Sequence, residues 1–211
     1  MMMNLFSAFD PCTGKLSMNW ISTIMFIFII PKKFWKSNNL NQNLMNKFSE
    51  KLNNEIKMNT KYKSIKLILM SMILLILNNN MLGILPYVFT STSQINFSLA
   101  LSLPMWVSYM MFGWKKNTKL MLTNMLPKNT PSMIMPLMIM IEFTSNLIRP
   151  SSLAIRLSAN MIAGHLLMSL LGEKSTLLIM IMIILMMFEM AVAIIQSYVF
   201  TTLMTLYSSE V

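Results

Sequence analysis

Apolar stretches separated by short polar segments recur along almost the whole chain, and this pattern constrains the fold more than any other feature of the sequence. Of the 211 residues, 55% are hydrophobic and only 11% are charged, whereas a soluble domain averages ~25% charged residues. A helix needs about 20 apolar residues to cross the hydrocarbon core of a bilayer, which is about 30 Å thick. The sequence therefore predicts an all-α, polytopic membrane protein with a single membrane domain over residues 1–211.

We expect about five membrane helices, one interfacial amphipathic helix and a long, strongly tilted C-terminal helical hairpin. The membrane spans are predicted at 17–31, 67–89 and 96–113, the interfacial helix at 40–57, and the two helices of the hairpin at 132–171 and 176–207. Charged residues alternate with apolar residues in the interfacial helix, and the apolar ones are spaced four apart. They are Leu40, Leu44, Phe48, Leu52 and Ile56.

The segment 132–171 is too long for a helix that crosses the bilayer vertically. About 40 residues rising about 1.5 Å each would extend ~60 Å, which is about twice the thickness of the hydrocarbon core. The segment must therefore tilt steeply, bend, or form two spans. Pro150 permits a bend because it frees the carbonyl of Asn146 from its helical hydrogen bond. The segment 176–207 is over-long as well, which favours a tilted hairpin.

The net charge of +10 comes mostly from lysines outside the apolar runs, clustered within 32–66 and 115–128. Basic residues beside membrane spans mark the inner face, so this pattern indicates membrane orientation and argues against a nucleic-acid partner. The rule places the N-terminus outside and the start of the penultimate helix at the inner face. The single cysteine, Cys12, excludes an internal disulfide.

Five ionisable residues fall inside the predicted hairpin, where each charge costs at least ~2.5–3.5 kcal/mol on insertion. They are Glu142, Arg149, Arg156 and His165 on the penultimate helix and Glu189 on the last helix. At about 100° per residue, Glu142, Arg149 and Arg156 share one side of the helix, together with Asn160. His165 lies about 180° from Arg156. The helix is therefore predicted to present two polar surfaces.

The last helix carries a polar face of its own. Glu189 and Gln196 are seven residues apart and share one side of the helix. We expect this side to meet His165 across the hairpin.

The order of these groups across the membrane suggests a proton route. Glu142 is predicted nearest the inside and His165 nearest the outside, with Arg156 between them. A carboxylate or an imidazole can pass a proton on, whereas a guanidinium neither releases nor relays one. Arg156 is therefore predicted to act as an electrostatic barrier between two offset aqueous routes. The mobile carboxylate that such a mechanism needs must come from a partner, because this chain has no obvious carrier.

Four segments of the chain resemble a known family. Residues 151–165, SSLAIRLSANMIAGH, resemble the arginine motif of subunit a of the F-type ATP synthase in its mitochondrial form. Residues 188–200, FEMAVAIIQSYVF, are similar to the signature of the last helix in that family. Residues 80–86 and 4–10 resemble its other landmarks. The resemblance covers essentially the whole chain.

The resemblance implies a role in proton translocation for six residues: Arg156, His165, Glu189, Glu142, Asn160 and Gln196. Arg156 would face the membrane carboxylates of the rotating c-ring and block a direct leak. His165 and Glu189 would line the half-channel from the intermembrane space, and Glu142 the one toward the matrix. The two amides would position Arg156 and water. One departure is Arg149, where the family pattern leads us to expect an uncharged residue such as glutamine.

The resemblance further implies that the chain is a proton-conducting stator subunit of the Fo sector and not a catalyst itself. Its expected partners are the c-ring, other Fo and peripheral-stalk subunits, protons and the lipid bilayer, with no cofactor and no metal. It would lie in the mitochondrial inner membrane, with the N-terminus toward the intermembrane space and the C-terminus toward the matrix.

Two other functions compete with this one. A self-contained secondary transporter could use Arg156 as an anion site, but it would need internal repeats and discontinuous helices. A purely structural subunit of a respiratory complex would tolerate neutral replacements of Arg156, His165 and Glu189 without a change in proton flux.

Overall fold

The computed structural model describes residues 5–12, 17–29, 37, 39–60, 63–85, 88–116, 118–125, 131, 133–172 and 179–210. Within these ranges the chain is helical and forms no strand. The α-helices are α1 (Ser22–Ile29), α2 (Leu40–Asn59), α3 (Lys63–Ile84), α4 (Ile95–Lys116), α5 (Thr118–Asn124), α6 (Met135–Gly172) and α7 (Ile179–Glu210). Short 3-10 helices lie at Leu5–Phe9, Met18–Ile21 and Ser91–Ser93. The predicted all-α class is confirmed.

Four helices of the described part, α3, α4, α6 and α7, are long and apolar enough to cross a bilayer. Large apolar side chains cover their outer surfaces; Ile184 and Phe188, for example, are 70% and 68% exposed. Such continuous apolar exposure is typical of a surface that faces lipid. The chain is thus a multi-pass membrane protein. The predicted first span is only partly covered, because residues 30–36 lie outside the described residues.

Several boundaries of the described helices differ from the predictions. α3 ends at Ile84, whereas the second span was expected to continue to Phe89. Pro86 explains the earlier end, since a proline disfavours helical backbone at the residue before it. α5 is an additional short helix that lies between the third predicted span and the hairpin.

The two C-terminal helices, α6 and α7, are the longest helices of the described part. α6 is a single helix of 38 residues that continues through the buried Pro150, so it does not divide into two spans. At about 1.5 Å per residue it extends ~57 Å. α7 has 32 residues. The two helices pack on each other, and α4 packs against α6 while α3 packs against α7.

The core of the described part is built mainly by α3, α6 and α7, and α2 and α4 contribute one side chain each. Its buried side chains are Ile56, Leu69, Ile76, Tyr109, Leu153, Leu157, Phe200 and Met204. Lipid tails are as apolar as these side chains, so transfer out of water contributes little to the association of the helices inside a membrane. Close packing between the helices must supply that stabilisation.

The apolar residues of α2 do not all lie on one surface of the helix. Leu52 and Ile56 are 7% and 5% exposed where α2 packs on α3 and α7, whereas Leu40 and Leu44 are 75% and 59% exposed. Residues spaced four apart advance by about 40° at each step, so Leu40 and Ile56 lie about 160° apart around the helix. The C-terminal half of α2 is therefore anchored on the bundle. The Tyr198 hydroxyl supports this contact by donating a hydrogen bond to Glu55 at 3.2 Å.

Candidate functional site

A cavity of about 270 Å³ lies between α6 and α7 and reaches α3. We call it the hairpin cavity. Among the residues that line it, the polar or ionisable ones are Asn80, Asn160, His165, Glu189 and Gln196. Four of these were predicted from the sequence as site residues, and the structure brings the four together around one cavity.

Glu189 packs directly on the backbone of α6 at Gly164. A Cβ atom added at Gly164 would lie 2.6 Å from Oε1 and 2.7 Å from Cδ of Glu189. Real Cβ atoms essentially never come so close to another atom. The carboxyl group can therefore sit beside α6 only because residue 164 has no side chain. His165 follows Gly164 in sequence, and the carboxyl and the imidazole both line the hairpin cavity.

Segments distant in sequence hold the His165 ring. Phe9, in the first 3-10 helix, meets the imidazole edge-on, with ring centroids 6.2 Å apart and planes at 85°. The Gln94 side chain donates a hydrogen bond of 2.7 Å to the Phe9 carbonyl. The backbone of Gly83 also lies close to the imidazole. The N-terminal segment and the chain between α3 and α4 thus converge on one side of the cavity.

A direct hydrogen bond joins the two hairpin helices at the cavity. The amide Nδ2 of Asn160 donates to Oε1 of Gln196 at 3.1 Å. Asn160 had been assigned to the Arg156 side of α6 and His165 to the opposite side, yet both line the same cavity. The fully buried Leu157 explains this, because it lies about 60° from Asn160 and about 80° from His165 around the helix. The polar surfaces that carry Asn160 and His165 therefore lie on either side of the packed face of α6 that contains Leu157, and both reach the hairpin cavity.

The Arg156 side chain is exposed. Within the part of the chain that the structure describes, no ion pair involves Arg156. Leu157, the next residue, lines the hairpin cavity. The guanidinium thus lies on the outer surface of α6, beside the hairpin cavity. There it is available to a group from outside this chain.

Glu142 and Arg149 form an ion pair of 3.6 Å on α6. The guanidinium of Arg149 also lies over the ring of Tyr207, on α7, at 5.7 Å from the ring centroid. Glu142 is 14 residues from Arg156 along α6, which corresponds to about 21 Å. The structure therefore separates Glu142 from the cavity that holds His165 and Glu189.

Several polar atoms around the hairpin cavity have no protein hydrogen-bond partner in the described part of the chain. They are Nδ2 and Oδ1 of Asn80, Nε2 of His165, Oε1 of Glu189 and Nε2 of Gln196. Buried polar atoms need partners, and water supplies them where there is room. The cavity volume of about 270 Å³ is enough for several water molecules. The site is chemically suited to hold a short chain of water.

Sequence reasoning missed some of these residues. Asn80 was not predicted as a site residue, yet it is fully buried and lines the hairpin cavity. Three consecutive amides in an apolar run were the available signal. No pattern in the sequence indicated that Phe9 and Gln94 would meet at His165, because these contacts depend on tertiary structure.

The ATP synthase A chain family matches residues 16–209. The chain belongs to this family. The match covers all the helices that build the hairpin cavity, whereas Phe9 precedes it. The family that the arginine motif suggested is thereby confirmed.

Curated members of the ATP synthase A chain family resemble the chain over its full length. It is 46% identical to ATP synthase subunit a of Locusta migratoria, with 100% of both chains aligned. The corresponding protein of Anopheles gambiae is 46% identical and that of Drosophila melanogaster 44%, again over 100% of both chains.

Proposed function

We propose that the chain is the proton-conducting stator subunit of the Fo sector of mitochondrial ATP synthase. In this proposal two offset half-channels are separated by Arg156, which faces the c-ring. Proton flow through them is coupled to rotation of the ring and so to ATP synthesis, while other subunits carry out the nucleotide chemistry. The observation that carries the proposal is the hairpin cavity, which gathers an imidazole, a carboxyl and three amides beside an exposed arginine.

The hairpin cavity is the proposed half-channel from the intermembrane space. Glu189 and His165 are its titratable groups, and a carboxyl and an imidazole can each take up and release a proton. The unpartnered polar atoms around them favour water, through which protons move between such groups. Asn160 and Gln196 close the end of the route nearest Arg156 by bonding to each other.

Arg156 is the proposed divider of the two routes. Its charge is permanent, so it cannot relay a proton, and its exposed position leaves it free to meet a carboxylate of the c-ring. A carboxylate that approaches a guanidinium is stabilised in its ionised form. The ring carboxylate therefore releases its proton on one side of Arg156 and is reloaded on the other.

The proposed matrix half-channel contains Glu142. Its carboxylate is held by Arg149, and Tyr207 of α7 supports the guanidinium from the facing helix. Protons would enter near His165 and Glu189 and leave past Glu142 after nearly one full turn of the ring. The membrane potential supplies about 2.3 kcal/mol per charge for each ~100 mV.

The location and partners follow from the same proposal. The chain would lie in the mitochondrial inner membrane, with its N-terminus toward the intermembrane space and its C-terminus toward the matrix. It would contact the c-ring, other Fo subunits and the peripheral stalk.

Replacement of the Glu189 carboxyl tests the proposal. In the complete ATP synthase reconstituted into liposomes, Glu189→Gln should lower the rate of proton-driven ATP synthesis by about a hundredfold, since a positioned proton-transfer group contributes ~10²–10⁴ to a rate. Proton uptake, followed with a pH-sensitive dye inside the liposomes, should fall in parallel.

The matched control is Glu50→Gln, which makes the same substitution on the exposed side of α2 and should leave both rates unchanged. Wild-type proton flux in the Glu189→Gln complex would refute the half-channel. Transport by the purified chain without the rest of the complex would instead support the secondary transporter.

A further inference from the structure

A second cavity, of about 700 Å³, lies between the end of α2 and the start of α3. We call it the basic cavity. Its described lining residues are Asn53, Lys57, Thr60, Lys63, Lys66, Leu67 and Met70. None of these lines the hairpin cavity, so the two sites are separate in the described part. The volume is within the ~300–1,000 Å³ typical of ligand pockets.

Each helix contributes one face to the basic cavity. On α3, Lys63, Lys66, Leu67 and Met70 follow the spacing of a single helical face. The lysines occupy the first turn and the apolar pair the next turn. The cavity therefore changes from cationic to apolar along α3, and Leu67 is 73% exposed there.

The positive charges of the three lysines in the basic cavity are not balanced by other groups in the described part of this chain. In the described part none of them has an ion-pair partner, and three ammonium groups around one cavity repel one another. Lys63 and Lys66 also oppose the partial positive charge at the start of α3. An anion bound among them would offset these costs, and the Asn53 amide could donate a further hydrogen bond to it.

We propose that the basic cavity binds the headgroup phosphate of an anionic phospholipid. The phosphate lies among Lys57, Lys63 and Lys66, and an acyl chain follows Leu67 and Met70 along α3. A free phosphate would satisfy the lysines, but it would leave the apolar part of the cavity without a partner. A phospholipid matches both parts, and by touching both helices it holds the end of α2 against α3. This binding involves no proton step and is independent of the proposed function.

Photo-crosslinking of lipid to the complete ATP synthase tests this site. The complex is placed in phosphatidylcholine nanodiscs that contain photoactivatable phosphatidylglycerol, and crosslinked peptides are identified by mass spectrometry. Labelling should occur within residues 53–70. Each lysine near a membrane surface contributes about fivefold to the binding of anionic lipid. The triple variant Lys57→Gln/Lys63→Gln/Lys66→Gln should therefore reduce labelling by about a hundredfold, and the three corresponding arginine substitutions should retain it.

The matched control removes the same charge from exposed lysines outside the basic cavity, with Lys47→Gln/Lys51→Gln/Lys115→Gln. It should keep wild-type labelling. An equal loss of labelling in this control would show that lipid binding depends on general surface charge and not on the basic cavity, and it would overturn the proposal.

Three further outcomes would overturn it without any variant. One is the absence of labelling within 53–70 in the wild-type complex. Another is competition by inorganic phosphate, which would identify a free-phosphate site. The third is crosslinking of these lysines to an acidic segment of another subunit in place of lipid. None of these outcomes depends on proton flux, so they test lipid binding independently of the proposed function.

Discussion

Gly164 decides whether Glu189 can reach the position it occupies beside α6. Its missing side chain makes the space for the carboxyl group, and His165 is its neighbour in sequence. The family resemblance implied roles for His165 and Glu189, and their helical positions suggested that they meet. The need for a glycine between the two helices was not predictable, because it depends on how closely α6 and α7 approach.

Substitution of Gly164 by alanine should impair the proton route without removing an ionisable group. The new Cβ would displace the Glu189 carboxyl by an ångström or so, and a misplacement of about 1 Å can cost up to a hundredfold in rate. We expect Gly164→Ala to lower proton-driven ATP synthesis about tenfold or more in reconstituted complexes.

Gly172→Ala is the matched control, since the nearest atom to its added Cβ, the Met182 sulfur, lies at 4.0 Å. It should retain wild-type synthesis. Equal rates for the two alanine variants would show that the close approach at Gly164 is unimportant.

At the scale of the helices, periodicity predicted which residues share a face but not which face packs. The stripe of α2 illustrates this, because its apolar residues wind around the helix and only its C-terminal members are buried. Pro150 illustrates a second limit. The sequence left open whether the segment 132–171 bends or divides into two spans. In the structure α6 is one continuous helix, and α4 and α7 pack against it.

The packing of α2 predicts different effects at its two ends. Ile56→Ala removes a buried side chain, and such changes cost about 2–5 kcal/mol. Local opening of α2 should become easier, so deuterium uptake by the amides of Leu40–Asn59 should increase in the assembled complex.

The exposed Leu44 provides the comparison for Ile56. Leu44→Ala should leave deuterium uptake close to that of the wild type. An equal or larger increase for Leu44→Ala would mean that α2 is held by its N-terminal half.

At the scale of the molecule, composition and lysine placement were sufficient to predict a multi-pass helical protein, and the motifs were sufficient to indicate the family. The convergence of Phe9, Gln94 and Gly83 on His165 was beyond sequence reasoning, since these residues are far apart in the chain and share no periodicity. The proposed orientation depends on the lysines alone.

The exposed Cys12 allows this orientation to be measured. A membrane-impermeant maleimide should label Cys12 in mitochondria whose outer membrane has been opened and whose inner membrane is intact. A cysteine introduced as Ser209→Cys in a Cys12→Ser background should react only after the inner membrane is permeabilised. The reverse pattern of labelling would invert the topology and exchange the two half-channels.

The most direct test of the proposed mechanism is the replacement of Arg156, the permanent charge between the two routes. ATP synthesis driven by an imposed proton gradient would be measured in liposomes that contain the complete complex with Arg156→Ala. Without the guanidinium nothing favours release of the proton from the ring carboxylate, and the barrier between the routes is lost. Synthesis should therefore be abolished. Coupled synthesis at a rate near that of the wild type would contradict the assignment of Arg156 as the divider.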